Sequence, residues 1–516
     1  VIETYSLGWS PEPVAATPIM NAPFITRSML ASSCLLTASA SAALAKGRLP
    51  LEAVQVIELA GPDYDQLERE DAILAAAGAP ARIAVPNTVS LFPETTGTWE
   101  HLDDGRMMWR LRVLSPGAAH LNIGFDRLAL PSSAEMRIAS FDGFDVTETI
   151  TAETPLAEGQ YWSPIIWGDE VIVEFEVDAT QRRELERGVS IVSINEGYRG
   201  LRDYRDGPFH TSGSCNVDVA CSSGDAWSCE IPSVGVYTIN GTWTCTGAMV
   251  NNTSEDETPY FLTAEHCGVT PNNDQTVVVY WNYENSSCRT PGSAESAMVG
   301  DGPLTDTSTG AVLRAFDSNT DFALLELVSS PSESYGVSYA GWSRSASLPT
   351  VGAGIHHPNT AEKRISTPAS VQHDSDPFYT DIFWEVVWVE GVTQPGSSGS
   401  PLFNGEHQII GQLCCGNSYC NNPNEVDWYG KSFTSTWAKL SPYLDPTNTG
   451  QVMIDTLCGS EPCPWDLGGT GSVDQTALMA LLALWGEPSA SGDFDGSGVV
   501  DVIDLLELLE YWGACP

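Results

Sequence analysis

Lysine is almost missing from this chain of 516 residues, occurring only at positions 46, 363, 431 and 439. Lys and Arg together number 23 against 67 Asp and Glu, a formal charge of -44. That imbalance excludes nucleic acid as a partner, because a phosphate backbone is repelled, and disfavours anionic membrane surfaces. It attracts basic peptides at low salt, and it also serves solubility. Cysteine is absent between residues 46 and 209, whereas 12 of the 13 cysteines follow residue 214. Long apolar runs are absent too, apart from residues 29–44. Preceded by Met20 and Arg27 and closed by Ala43-Leu44-Ala45, this run reads as a secretory signal over residues 20–45. It is too short and too rich in small residues for a permanent anchor, so no transmembrane anchor is expected in the mature form. Residues 1–19 lack signal character and read as an upstream extension, and export permits disulfides.

What is present builds real cores: 42% hydrophobic residues and 16 Trp exclude wholesale disorder, and the length implies three or four segments. In residues 46–209, Trp109, Leu111 and Val113 alternate with Arg110 and Arg112. Val171, Val173, Phe175 and Val177 alternate with Ile172, Glu174 and Glu176 in the same way, so half-buried strands and a small β-rich unit are expected. The Arg-rich residues 182–205 read as a helix or linker. Over residues 210–450, short Val, Ile, Tyr and Trp runs such as 277–283 and 322–328 are separated by Gly, Asn, Ser and Pro. That spacing predicts an all-β sandwich or a pair of barrels. The tail, residues 463–516, opens on Cys463-Pro464 and closes on Cys515-Pro516. Within it, two acidic or Gly-rich loops each precede a Leu-rich helical stretch ending in Trp485-Gly486 or Trp512-Gly513, an internal duplication.

Three short motifs carry chemistry. Gly396-Ser397-Ser398-Gly399-Ser400-Pro401 places a hydroxyl on a turn that glycines allow to tighten, with amides nearby for a developing oxyanion. Phe261-Leu262-Thr263-Ala264-Glu265-His266-Cys267 delivers a histidine from an apolar strand end beside a half-cystine. Asp321-Phe322-Ala323-Leu324-Leu325-Glu326-Leu327 sets an acid at the head of a buried strand. Singly, each is an ordinary structural feature. Their order, His then Asp then Ser, is that of a triad in which His takes the serine proton and Asp orients the imidazole.

Residues 210–450 resemble the bacterial lysyl endopeptidase family, a branch of the chymotrypsin-fold serine proteases. The similar stretches are Ser214-Cys215-Asn216-Val217-Asp218-Val219, residues 260–268, Val279-Tyr280-Trp281-Asn282-Tyr283 and residues 321–327. His356-His357-Pro358-Asn359, Ala361-Glu362-Lys363-Arg364-Ile365-Ser366 and residues 394–401 complete them. The resemblance implies a mainly β protein with a chymotrypsin-like double β-barrel and its site between the barrels. It implies His266 as general base, Asp321 as its orienting partner, Ser398 as nucleophile, and the amides of Gly396 and Ser398 as oxyanion hole. It further implies the disulfides Cys215–Cys420, Cys221–Cys288 and Cys245–Cys267. Within Asp427-Trp428-Tyr429-Gly430, Asp427 takes the place of the acid that pairs with a substrate Lys or Arg.

Two residues depart from the family pattern. After Gly411-Gln412-Leu413 the family has a histidine where this chain has Cys414, and a family Trp expected between Lys363 and Trp384 is missing. Cys229, Cys414, Cys415 and Cys458 lie outside the family's set, and a bridge from Cys229 to Cys414 or Cys415 is one pairing the sequence allows. No Lys lies near the expected mature start around residue 210, whereas Arg199, Arg202 and Arg205 do. Self-processing would therefore require acceptance of Arg, and another protease is the alternative. The upstream block, with Trp109 to Val113 and Leu121-Asn122-Ile123-Gly124-Phe125, resembles the family's propeptide, which implies a folding aid that blocks the site until removed.

In the tail, residues 493–504 set Asp493, Asp495, Ser497, Asp501 and Asp504 at loop positions 1, 3, 5, 9 and 12, with Gly498 at the turn position 6. That spacing wraps one hard cation in oxygen ligands and suits Ca²⁺. With residues 505–512 as an amphipathic helix it resembles a dockerin repeat, which implies a cohesin-like or cell-surface scaffold partner. The earlier loop, 466–477, keeps Asp466, Thr470 and Asp474 but has Gly468 and Ala477 at positions 3 and 12, so it is expected to be weak or empty. A Cys463–Cys515 bridge is expected to staple so small a core. The sequence thus reads as a signal and extension (1–45), propeptide (46–209), serine protease domain (210–450) and dockerin-like module (463–516). The expected activity is secreted, zymogen-derived hydrolysis after Lys or Arg through an acyl-enzyme, needing no cofactor for catalysis. The alternative is a non-catalytic protease-fold scaffold anchored by its tail.

Overall fold

The computed structural model describes residues 47–514, except 48, 77, 200, 202–211, 375–380, 459–464, 466, 468–471, 487–491 and 495–498. Its N-terminal part is a two-sheet sandwich. One sheet carries Arg106–Leu114 between Val56–Glu58 and Glu170–Asp178, with Glu135–Ser140 beyond. The other carries His120–Leu128 beside Val189–Gly197, which in turn pairs with Ala84–Leu91. Trp109, Leu111, Val113, Ile123, Phe125, Val173 and Phe175 meet between the sheets, as the period-two pattern requires.

Two expectations fail here. Arg110 does not face solvent: its guanidinium is buried, donating to Glu100 and, at 2.8 Å, to the Leu49 carbonyl, because the chain around Leu49 lies over that face. Glu174 beside it is pushed up to about 7 by burial, against the opposing Arg110 charge. The Arg-rich stretch is a helix only over Arg182–Gly188, and Val189–Gly197 is an inner strand, because Val189, Ile191 and Ile194 supply a buried face.

Residues 212–458 form two further β structures. In the first, the path from Thr307–Thr309 through Val278–Tyr280, Val234–Ile239, Trp243–Met249, Tyr260–Ala264 and Phe322–Leu327 ends at Ala311–Asp317. Its two outermost strands are therefore consecutive in sequence, joined by Gly310 at φ 80°, and the chain itself closes the barrel. The second runs Pro401–Phe403, Ala353–His356, Arg364–His373, Phe383–Glu390, Asp427–Gly430 and Ile409–Gly416, and the last strand pairs back onto the first. Closure removes exposed edges and leaves two rigid walls. Val234, Leu262, Phe322, Leu324, Ile355 and Phe403 fill one core shared by both barrels. The expected end at residue 450 is too early: Met453–Ile454 pairs with Trp342–Ser343, and Cys458 bridges to Cys229.

The sandwich docks on the first barrel as an added strand. Ala81–Arg82 pairs with Trp243–Thr244, and the Ile83 N–H donates to the Thr242 carbonyl at 2.7 Å. Ile83, Ile165 and Leu201 pack with Val236, Val278, Tyr280 and Tyr283 in a common core. Asn122 and Asn195 donate to the carbonyls of Gly241 and Asn240 at 3.0 and 3.1 Å.

Candidate active site

Each site residue is held by an element its sequence dictates. Strand Tyr260–Ala264 passes into a short 3-10 turn, Glu265–Cys267, which Gly268 stops at φ 84°. The Cys245–Cys267 bridge ties that turn to the neighbouring strand across 22 residues of chain, a constraint on the unfolded state of roughly 3 kcal/mol. Asp321 stands at φ 57°, in the left-handed region, immediately before Phe322–Leu327. A non-glycine residue there costs on the order of 1 kcal/mol or more, offset here by several contacts. Its carbonyl accepts from the Glu265 N–H at 3.1 Å and from Gln412 Nε2 at 3.1 Å.

The loop bearing Ser398 turns at Gly396 (φ 95°) and Gly399 (φ 82°). A Cβ at Gly399 would sit 2.2 Å from Thr263 Oγ1, so only glycine fits that approach. Thr246 fixes the loop from below: its N–H donates to the Ser398 carbonyl at 2.9 Å and its Oγ1 to the Gly396 carbonyl at 2.7 Å. His356, wholly buried, spans Ser397 Oγ (2.8 Å) and Ser366 Oγ (2.9 Å), and burial pushes it down to about 3, so it is neutral. With the loop carbonyls engaged, the N–H groups of Gly396 and Ser398 have no hydrogen-bond acceptor among the described residues.

The structure brings the three separated side chains together. His266 Nδ1 lies 2.7 Å from Asp321 Oδ2, and a carboxylate only accepts, so Nδ1 carries the proton. Nε2 is thereby left as the acceptor for the Ser398 hydroxyl, 2.9 Å away. Asp321 is nearly buried, while His266 keeps about a quarter of its side chain exposed. Such an array can draw a proton from a hydroxyl toward the imidazole while two amides await an oxyanion.

Asp427 is wholly buried. Its Oδ2 accepts from Trp388 Nε1 (2.6 Å), Thr393 Oγ1 (2.8 Å) and Ser418 Oγ (2.6 Å), and its Oδ1 from the Ser418 N–H (3.0 Å). All four donors are neutral, and no described Lys or Arg pairs with it. A Cβ at Gly416 would lie 2.1 Å from Oδ1, so the glycine leaves that oxygen approachable.

The bridges Cys215–Cys420, Cys221–Cys288 and Cys245–Cys267 are formed. Cys229 pairs with Cys458, not with Cys414 or Cys415, because the C-terminal strand returns past Cys229. Four disulfides belong to an oxidising environment. Among the described residues no helix is long and apolar enough to cross a membrane.

In the tail, Asp495, Ser497, Cys463 and Cys515 lie outside the described residues, as does the expected signal. Asp501 caps the helix Val502–Glu510, and the buried Asp504 reaches back to accept from Asp501 N (2.7 Å) and from Phe494 N (2.6 Å) across the loop. Asp474 caps the other helix, Gln475–Ala483. Among the described residues, no group of three or more His, Cys, Asp or Glu side chains is placed to hold a metal ion.

Sequence reasoning missed the supports. Gln412 pins the backbone at Asp321, and its Nε2 also donates to the Thr320 carbonyl at 2.7 Å. Gly411-Gln412-Leu413 was a visible pattern, but nothing in it indicates this target. Trp388, Thr393 and Ser418 carry no local signal, since they meet Asp427 only after the second barrel closes.

Two barrels with a hydrogen-bonded Ser–His–Asp array define a serine endopeptidase. Residues 209–430 match the family model of the lysyl endopeptidase C-terminal domain, and residues 58–187 that of the lysyl endopeptidase N-terminal domain. A lysyl endopeptidase of Pseudomonas aeruginosa is 30% identical over 417 residues, spanning 76% of this chain and 87% of that protein. The chain belongs to the lysyl endopeptidase family. Among solved structures, a Glu endopeptidase is similar over 44% of this chain and 95% of its own, at 16% identity and a TM-score of 0.30. The HtrA-type protease AlgW is similar over 44% of this chain and 65% of its own, at 18% identity and a TM-score of 0.30.

Proposed function

We propose that this serine endopeptidase is made as an exported zymogen and cleaves after basic residues, Lys and Arg alike. The observation that carries the specificity is Asp427: a buried carboxylate held by four neutral donors, with no described cation to balance it. An uncompensated buried charge is expensive, and a substrate ammonium or guanidinium entering past Gly416 relieves it. His266 acts as the base, and Ser398 Oγ attacks the scissile carbonyl carbon as its proton passes to Nε2. Asp321 holds the imidazolium, and the amides of Gly396 and Ser398 hold the oxyanion. The proton then goes to the leaving amine, and water activated by His266 hydrolyses the Ser398 ester.

Residues 46–209 act as a propeptide that assists folding. In the tail, Asp493, Asp501 and Asp504, with Asp495 and Ser497, would hold Ca²⁺, shaping a module that binds a cohesin-like or cell-surface scaffold.

Digestion of a mixed proteome with the purified mature enzyme tests the reading. Cuts after Lys and Arg are expected, and cuts without preference for basic residues would overturn the specificity. A fluorophosphonate probe should label wild type and not Ser398→Ala. N-terminal sequencing of secreted protein should give a start near residue 210.

A further inference from the structure

Consecutive side chains of a strand point to opposite faces, so adjacent cysteines in a regular strand do not touch. Cys414 and Cys415 depart from that rule. In the ladder between Ile409–Gly416 and Asp427–Gly430, Leu413 faces Tyr429 and Cys415 faces Trp428, so Cys414 is the extra residue of a β-bulge. The bulge turns both side chains to one side, and their Sγ atoms lie 2.7 Å apart. That is well inside the roughly 3.5–4.0 Å at which non-bonded heavy atoms rest. It approaches the ~2.05 Å of a disulfide.

The pair sits within the catalytic framework. Leu413, one residue earlier, accepts from the Gly399 N–H at 2.8 Å and donates its own N–H to the Ser400 carbonyl at 2.9 Å. Gly416, one residue later, pairs with Asp427. As a thiol, Cys414 is pushed up by its contact with Cys415, by burial and by the Asp321 charge.

We propose that Cys414 and Cys415 close into a vicinal disulfide in the exported enzyme. The oxidant is a disulfide donor, the class of reactant that the four other bridges already require. The exposed Cys415 attacks it as thiolate and releases the first donor thiol. Cys414 sulfur then attacks Cys415 sulfur of the mixed disulfide and releases the second. Two protein thiols are oxidised, one donor disulfide becomes two thiols, and the protons pass to them.

Secreted enzyme, denatured and alkylated with iodoacetamide without reduction, should give a peptide bearing Cys414 and Cys415 with no label and two hydrogens fewer than the dithiol. Two labels on that peptide would overturn the ring. In Cys415→Ser, Cys414 has lost its partner, and the same peptide should carry one label, at Cys414. No label there would remove Cys414 as the ring's second sulfur.

Discussion

Asp321 grips His266 twice: Oδ1 accepts the histidine's own backbone N–H at 2.8 Å, and Oδ2 accepts from Nδ1 of its ring at 2.7 Å. The first bond fixes where the residue sits and the second fixes its tautomer. Asp321→Asn keeps the shape but points an amide N–H at Nδ1, so the ring's proton moves to Nε2, facing Ser398. A fall in kcat of about 10⁴ is expected, with circular dichroism unchanged. A loss below tenfold would mean that the carboxylate has no orienting role.

At Asp427, the Asn variant keeps the size and loses the charge. Preference for Lys or Arg over neutral residues should fall by about 2–5 kcal/mol, measured as kcat/KM on matched peptides. Retained preference would place the basic pocket elsewhere.

His356 gives the enzyme a pH dependence unrelated to catalysis. Its folded value is about 3, below the ~6.5 of an unfolded chain, because burial disfavours the cation. Its contribution to stability is therefore complete above pH 6.5 and is lost as pH falls toward 3, up to about 4–5 kcal/mol in all. In a Ser398→Ala background, which prevents self-digestion, His356→Gln should flatten the fall of the urea midpoint between pH 6.5 and 4. Parallel slopes in the two proteins would remove His356 as the cause.

Ile83 lies in the core shared by the sandwich and the first barrel. Ile83→Ala should cost about 2–4 kcal/mol of docking, read as a lower thermal midpoint of full-length Ser398→Ala protein. The same midpoint in both would mean the two parts are stable independently of this contact.

For the tail, chelation of the full chain should speed amide hydrogen exchange within residues 472–514 and leave the barrel strands protected. Exchange unchanged by chelator would dismiss the cation.

The barrels were legible because Val, Ile and Tyr runs between turn residues reflect local needs: an apolar inward face and a chain that reverses. The triad was legible because each member sits in a motif whose neighbours enforce its geometry, such as Gly396 and Gly399 around Ser398. Pairings that form only after distant segments meet were not. Cys229 has several possible partners in sequence, and the return of Met453–Ile454 selects Cys458. Arg110 reads as a solvent-facing residue until Glu100 and Leu49 cover it. The bulge at Cys414 likewise belongs to the register between two strands rather than to either alone.

The strand lent by Ala81–Arg82 would carry a cost at the proposed maturation. Were the sandwich removed, Trp243 and Thr244 would present bare amide and carbonyl groups beside the apolar residues Val236, Val278 and Tyr280. Such a flank invites a second molecule to add itself in place of the lost strand. An enzyme freed in that way would gain a tendency to self-associate, which would set a ceiling on the concentration at which it stays dispersed.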